Sequence, residues 1–357
     1  MKDCLYNLAT DKTRGFFASF CKLLLWLLSL VYGLVVSILV FLNTRNQYRP
    51  GCKVISVGNI TLGGTGKTSL VEYIARALLK EDRKIAVLSR GYKRKIASSS
   101  GDHVNSSQEM GDEPFMLKEN LAGVPVIAGI DRVKSANLAI KEYGVDTVIL
   151  DDAFQQWKIK KDLEIVTIDT TNPFGNRHLI PRGILREPLW SLKRADIFVL
   201  TKANLSSRDG ELKSVLGKIN NKALIIESYH LPERFYNLAN PKEIFALDQL
   251  KNKTAGLFSG IGDPGSFEKL VETLGVKTGF SARFTDHHSY TQEEIDKIIK
   301  DTKACGAEFI ITTQKDAARL SGLRITDSGL RILVLRIQLA IKDETAFNSR
   351  LLKLYSL

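Results

Sequence analysis

The chain has 357 residues, more than one hydrophobic core usually organises, so two domains are expected. Its apolar content of 44% is ordinary for a globular protein, and its net charge of +12 points to anionic partners: nucleotide, anionic lipid or nucleic acid. The four cysteines, Cys4, Cys21, Cys52 and Cys305, form no C-x-x-C pair, which argues against a disulfide scaffold or zinc framework and fits free thiols in a reducing compartment.

Taken in chain order, the first element is residues 23–42, LLLWLLSLVYGLVVSILVFL, a run without a charged side chain. As a helix rising 1.5 Å per residue it matches a hydrocarbon core of ~30 Å. Arg14 and Lys22 precede the run, and Arg45, Arg49 and Lys53 follow it. Basic flanks on both sides leave orientation open, and also leave open whether the helix spans the bilayer or lies in its surface. No A-x-A-like cleavage site follows, which disfavours a signal peptide.

The organising stretch is residues 53–77, KVISVGNITLGGTGKTSLVEYIARA. Val54 to Val57 read as a buried strand, and Leu70, Ile74 and Leu78 fall on one face of a following helix. Between them lie Thr61, Leu62, Gly63, Gly64, Thr65, Gly66, Lys67 and Thr68, the strand–glycine loop–Gly-Lys-Thr–helix context of a phosphate-binding P-loop. Glycines let backbone amides approach an anion, and the helix N-terminus behind them favours negative charge. Lys67 would reach the β/γ-phosphates and Thr68 would hold Mg²⁺. The usual first glycine of the motif, five residues before Gly66, is replaced by Thr61.

Ile85 to Leu88 form a second strand, ending in Ser89-Arg90-Gly91-Tyr92-Lys93-Arg94-Lys95. Basic residues at the C-terminal edge of an open sheet lie where such sheets bind ligands, although Lys93 and Lys95 read more simply as a solvated turn. The Ser-rich residues 96–110 read as a loop, and Gly111-Asp112-Glu113-Pro114 opens a helix whose acids suit the helix dipole. A strand at 124–128 precedes Gly129-Ile130-Asp131-Arg132. Thr147 to Leu150 then lead into Asp151-Asp152, an apolar strand that ends in carboxylates, which is the Walker-B arrangement. Strands at 164–169 and 197–200 flank a long irregular segment rich in Gly, Pro and Arg, where Arg177, Arg182 and Arg186 suit phosphate contacts.

Strands alternating with helices predict a parallel α/β sheet. Pro232 and Pro241 bound a stretch at 228–242 that reads as a linker to a smaller α/β unit, with strands at 254–258, 309–312 and 331–336. The expected division is a membrane-anchoring segment at 1–48, a P-loop domain at 49–235 and a linker with the second domain at 236–357.

Nine strings now stand in order: SVGNITLGGTGKT, LSRGYKRK, GDEP, GIDRV, ILDDAFQ, GILREPL, GIGDP, DHHSY and TTQKDA. Together they resemble the tetraacyldisaccharide 4′-kinases of Gram-negative lipid A synthesis over roughly residues 50 to 320. The resemblance implies a P-loop NTPase-like parallel sheet with flanking helices, an N-terminal membrane helix and a second, smaller α/β domain. It implies transfer of the ATP γ-phosphate, with Mg²⁺, to the 4′-hydroxyl of an anionic glycolipid, at the cytoplasmic face of the inner membrane. Nucleic acid is not expected as a partner.

By the same resemblance Asp112 is a general base paired with His287, or with His288 as the fallback. Asp151 and Asp152 lie near Mg²⁺, and Glu187 is a site glutamate that the family's pattern also directs toward metal. Arg90, Arg132, Arg186 and Gln155 face substrate or nucleotide. The family's usual DDGFQH reads Asp151-Asp152-Ala153-Phe154-Gln155-Gln156 here.

The rival reading is a membrane-associated P-loop switch. It is disfavoured because TKAN at 201–204 lacks the aspartate of a GTPase motif, and Leu62 stands where partitioning ATPases carry lysine. A nucleic-acid binder finds no helix-turn-helix, zinc spacing or RNA-binding motif.

Overall fold

The computed structural model describes residues 8, 10–90, 110–205, 209–320, 322–324 and 329–356. Cys4, Lys93, Lys95 and nearly all of the Ser-rich stretch lie outside the described residues. In chain order the elements are α1 (Phe16–Arg45), β1 (Lys53–Gly58), α2 (Lys67–Leu79), β2 (Ile85–Ser89), α3 (Asp112–Asn120), β3 (Val126–Ala128), α4 (Arg132–Tyr143), β4 (Thr147–Leu150), β5 (Leu163–Asp169) and β6 (Ile197–Thr201). They continue as α5 (Asp209–Ile219), β7 (Leu224–Asn237), β8 (Ile244–Phe245), β9 (Thr254–Ser259), α6 (Pro264–Thr273), β10 (Lys277–Arg283), α7 (Gln292–Ala304), β11 (Phe309–Thr313), α8 (Gln314–Arg319), β12 (Arg331–Ile341) and α9 (Glu344–Leu352).

The chain divides into two compact units: Met1–Arg90 with Gly123–Tyr229 and Ala340–Leu357, and Gly91–Ala122 with His230–Leu339. This division is not linear in sequence. The segment carrying Asp112 groups with the second unit, and the C-terminal helix α9 groups with the first. Packing explains the latter. Phe347 of α9 is fully buried and meets the Tyr73 ring edge-on at 5.7 Å, while the Tyr73 hydroxyl donates to Glu344 at 2.8 Å.

In the first unit the strand order is β7-β6-β5-β1-β4-β2-β3, and its pairs are parallel. β1 is central, with Val54, Ile55 and Val57 fully buried. One apolar cluster joins Val166, Ile168 and Phe198 to Leu212 and Leu216 of α5, and another joins Val54, Leu88 and Val148 to Ala136 and Ala139 of α4. Helices on both faces explain why the strands read as unbroken apolar runs. From β1 the chain crosses to the β2 and β3 side, returns beside β1 as β4, then emerges opposite as β5. The carboxyl end of β1 is therefore a topological switch point, where open α/β sheets hold ligands.

Helix α1 buries only Ala18, Ser29, Gly33, Val36 and Val40, a narrow stripe. Phe16, Phe17, Phe20, Leu24, Leu27, Leu34 and Phe41 are exposed. A Cβ on Gly33 would come within 2.7 Å of Leu179 Cδ1, so glycine lets the helix lie close against the body of its unit. The helix is long and apolar enough to cross a membrane by length and composition.

The second unit has a parallel sheet in the order β10-β9-β11-β12. Leu257, Ile311 and Leu333 fill one face with Phe267 and Val271 of α6, and Phe258, Ile310 and Ile332 fill the other with Ile295 and Ile298 of α7. The expected linker at 228–242 is largely strand: β7 runs through Pro232 to Asn237, and Phe235 and Tyr236 pair antiparallel with β8. Its polar residues, Glu227, Glu233 and Arg234 among them, hide a strand whose buried positions Ile226 and Ser228 are spaced by two.

Candidate active site

The glycine loop lies at the end of β1. Gly63 (φ 114°) and Gly66 (φ 78°) adopt left-handed backbone that side chains rarely tolerate. Gly66 caps α2 without a side-chain bond, so the first amides of that helix have no side-chain acceptor. Thr61 has no positive φ and sits in an antiparallel bridge with Leu185. Arg186 N donates to Ile60 O at 2.7 Å and Leu62 N to Ile184 O at 2.8 Å. The loop entrance is thus extended backbone, where a β-branched residue replaces glycine without strain. Thr65 Oγ1 meets Thr167 Oγ1 of β5 at 2.7 Å, which ties the loop tip to the sheet.

Lys67 Nζ donates to Asn59 Oδ1 at 3.2 Å and lies 3.4 Å from Asp152 Oδ1. Arg186 NH1 donates to both Asp152 oxygens, at 2.9 and 3.1 Å, and to Gln155 Oε1 at 3.3 Å. Burial would raise the Asp152 carboxyl, but Lys67 and Arg186 outweigh it and hold the group below its usual range. Asp151 is buried beside it, with Oδ2 accepting from Ser89 Oγ at 3.2 Å. Two carboxylates and two cations therefore gather at the carboxyl end of β4, beside the glycine loop that follows β1. Oxygen donors of this kind suit a hard divalent cation.

A second cluster lies within the other unit. Asp112 begins α3, and its Oδ2 accepts from Arg319 Nε at 2.7 Å and lies 3.5 Å from His287 Nδ1. Arg319 NH2 reaches the same ring nitrogen at 3.2 Å. His287 takes φ 58°, left-handed backbone that non-glycine residues rarely adopt. His288 is committed elsewhere. Its Nε2 lies 2.9 Å from Glu294 Oε2, and its ring stacks on Phe284 at 4.6 Å.

The tetraacyldisaccharide-1-P 4′-kinase family profile matches residues 21–356. The chain belongs to the tetraacyldisaccharide-1-P 4′-kinase family. The tetraacyldisaccharide 4′-kinase of Halothermothrix orenii is 37% identical over 96% of this chain and 95% of its own length. That of Desulfatibacillum aliphaticivorans is 37% identical over 90% and 89%. The crystal structure of LpxK from Aquifex aeolicus in complex with ATP superposes with a TM-score of 0.72 at 29% identity, covering 92% of this chain and 98% of that one.

Several of the expected site residues are engaged with the protein itself. Arg132 is 2% exposed and donates to backbone from both terminal nitrogens, NH1 to Ser89 O at 2.8 Å and to Gly129 O, and NH2 to Asp151 O at 3.2 Å, while its buried Nε has no partner among the described residues. Burial brings its guanidinium down to about 10, and its bonds staple the ends of β2 and β4. Glu187, expected toward metal, is fully buried. It accepts from Arg194 at 3.0 and 3.1 Å, Gln155 at 3.1 Å and Trp157 at 3.2 Å, so both oxygens are engaged in holding the loop that carries Arg186. Arg182 is paired with Asp11 at 2.9 Å. Arg90 is exposed at the end of β2, and Gln155 bridges Asn59 O, Glu187 and Arg186. Ala153, at the family's glycine position, has no positive φ, so its Cβ is accommodated.

Three further residues that touch these clusters escaped the sequence reading. Asn59 receives Lys67, and its place directly before the loop was the available signal. The Tyr32 hydroxyl donates to Arg186 O at 2.9 Å, which ties the apolar helix to the loop that faces Asp152; a polar tip inside an apolar run was the clue. Arg319 lies just past TTQKDA, and no local pattern marks it.

Proposed function

We propose that this family member transfers the γ-phosphoryl group of ATP to the 4′-hydroxyl of tetraacyldisaccharide 1-phosphate, the step that yields lipid IVA in lipid A biosynthesis. The observation that carries this reading is the convergence of Lys67, Asp152 and Arg186 on the N-terminus of α2, which no side chain caps. Asp152 holds together two cations that suit phosphate oxygens, so a nucleotide meets a cluster already assembled. Residues 61–68 cradle the β- and γ-phosphates, with Lys67 on their oxygens. Thr68, Asp151 and Asp152 fit Mg²⁺ by donor type and would hold the ion, which would supply neutralisation of phosphate charge. Arg186, oriented by Gln155 and Glu187, holds the developing negative charge.

Asp112 accepts the proton of the sugar hydroxyl, with His287 at its side. An unactivated alcohol is a poor nucleophile, and a positioned carboxylate favours its attack as the phosphoryl group departs from ADP. The exposed apolar surface of α1 supports attachment to the cytoplasmic face of the inner membrane, with the basic chain drawn to anionic lipid. Through Tyr32 that same helix touches the active-site loop, so anchor and chemistry are linked within one unit.

The direct test is phosphate transfer by the purified full chain from ATP-Mg²⁺ to tetraacyldisaccharide 1-phosphate in detergent micelles. Mass spectrometry should find one added phosphate at the 4′ position. ATP hydrolysis without lipid phosphorylation would instead favour a P-loop switch. Removing residues 1–44 should release the protein from membranes and also lower turnover, because Arg186 loses the Tyr32 contact. A truncated protein that still sediments with membranes places the anchor elsewhere.

A further inference from the structure

We propose that Lys161 is a positioning residue for phosphoryl transfer: its buried amine grips the carbonyls of Ala153 and Phe154 and so keeps Asp152 in the left-handed backbone that presents its carboxylate to Lys67 and Arg186. The inference rests on the reading of Asp152 as part of the nucleotide site.

Asp152 has φ 48°, and among the described residues no other between β4 and β5 has a positive φ. Residues with a side chain rarely adopt this region, and they persist there where the surroundings over-determine them. An aspartate can steady such a turn by bonding nearby backbone. Here the carboxylate points to other partners, Arg186 NH1 at 2.9 and 3.1 Å and Lys67 Nζ at 3.4 Å. The strain is therefore held from outside the residue.

The flanking peptide groups supply that hold. Asp151 N donates to Leu88 O of β2 at 2.9 Å, and Ala153 N to Val57 O of β1 at 3.0 Å. Asp151 O accepts from Arg132 NH2 at 3.2 Å. Ala153 O accepts from Lys161 Nζ at 2.7 Å, and Phe154 O from Lys161 Nζ at 3.2 Å and Arg194 NH2 at 3.4 Å. Phe154 is fully buried, and a Cβ on Gly58 would meet its amide nitrogen at 2.3 Å, so the turn is pressed against β1. Among the described residues Lys161 is the side chain that bonds both carbonyls following Asp152.

Lys161 is itself firmly mounted. Its neighbours are tied down, with Lys160 N donating to Tyr48 O and Asp162 N to Val54 O, each at 2.8 Å. The Lys161 side chain is 7% exposed and pairs with Glu164, whose Oε1 also accepts from Ser56 Oγ of β1 at 3.1 Å. Arg194 Nε stands 3.9 Å from Glu164 Oε2, and Arg194 NH2 lies 2.9 Å from Glu187. One buried network thus supports Asp152 through Lys161 and the Arg186 loop through Glu187, and so sets the two partners of that ion pair against each other. Burial draws the Lys161 amine below its usual range, against the pull of Glu164. The carbonyls can only accept and an amine donates whether or not it is charged, so the grip on the turn holds in either state.

The test is a cycle of full-length enzymes: wild type, Lys161→Met, Asp152→Asn and the two together, with kcat and the KM for ATP measured at saturating lipid. Lys161→Met fills similar space without a donor, and should lower kcat about 10–100-fold while the KM for ATP moves by about threefold or less. In the Asp152→Asn background the same substitution should lower kcat by less than about twofold more, because the group it places is already gone. A lysine that only supports the fold would multiply the two losses, which would overturn the proposal, as would wild-type kcat in Lys161→Met. A slow Asp152→Asn beside multiplied losses sinks the inference and spares the reading of Asp152, whereas wild-type kcat in Asp152→Asn sinks both. Lys161→Met leaves Glu164 buried without its nearest cation, so the cycle is repeated with Lys161→Met/Glu164→Gln, in which both charges are gone and the same outcomes decide.

Discussion

Lys67→Ala should lower kcat for phosphate transfer by about 10²–10³-fold or more, while the folded protein keeps its circular dichroism and most of its thermal stability. The ammonium contributes where charge develops on the transferring group, in a site whose neighbours are already oriented. Its structural obligations are light by comparison. Lys67 lies 3.4 Å from Asp152 and 3.2 Å from Asn59 Oδ1, and Asp152 keeps Arg186 at 2.9 Å when the lysine goes. The buried carboxylate is therefore not left without a cation, which is the condition that makes such deletions unfold proteins. Lys67→Arg should not restore the rate, because a planar fork does not fit the place of a compact ammonium inside a tight loop. The measurement is single-turnover transfer from labelled ATP beside a thermal melt. Near wild-type turnover in the alanine variant would remove Lys67 from the chemistry, and the P-loop reading with it.

What was legible in the chain and what was not follows from the range of the interactions concerned. The P-loop, the carboxylates after β4 and the buried strands are local. Each is a run of neighbours whose hydrophobic period and turn residues carry their own explanation, so the parallel sheet and its nucleotide edge could be read directly. Thr61 looked like a departure because the motif is defined by residue type, whereas the backbone there needs only an extended conformation, which Thr61 supplies in its bridge to Leu185. Arg132 and Glu187 carry a second demand that the sequence does not show. Both are buried, and Glu187 accepts from Arg194, Gln155 and Trp157 while Arg132 donates to backbone at the ends of β2 and β4. Which of His287 and His288 faces Asp112 was undecidable in sequence because the two are adjacent. The left-handed backbone at His287 and the Glu294 partner of His288 separate them. The strand through Pro232 and the placement of α9 with the first unit depend on contacts between distant segments, which no window of residues records.

Asp112→Asn should lower kcat by about 10²–10⁴-fold, the span typical of a lost general base, with the KM for ATP little changed. The lower end is the better expectation. Phosphoryl transfer passes through a loose transition state that needs modest help from a base, and a carboxylate held below its usual range is a weak one. The substitution keeps shape and removes charge, so a second signature accompanies the kinetics. Because Asp112 titrates lower when folded than when unfolded, its ionised form adds stability above the unfolded carboxylate range near pH ~4, and that contribution fades as pH falls through the folded value. The variant should accordingly melt below the wild type at pH 7, and the gap should narrow under acid. Protonated Asp112 in the wild type and the neutral amide of the variant then offer Arg319 similar partners. A kcat effect without this narrowing gap would mean that the charge matters to the reaction but not to the fold, and that the Asp112–Arg319 contact forms only with substrate. A narrowing gap without a kcat effect would leave Asp112 a structural anion and return the search for the base to the residues around His287.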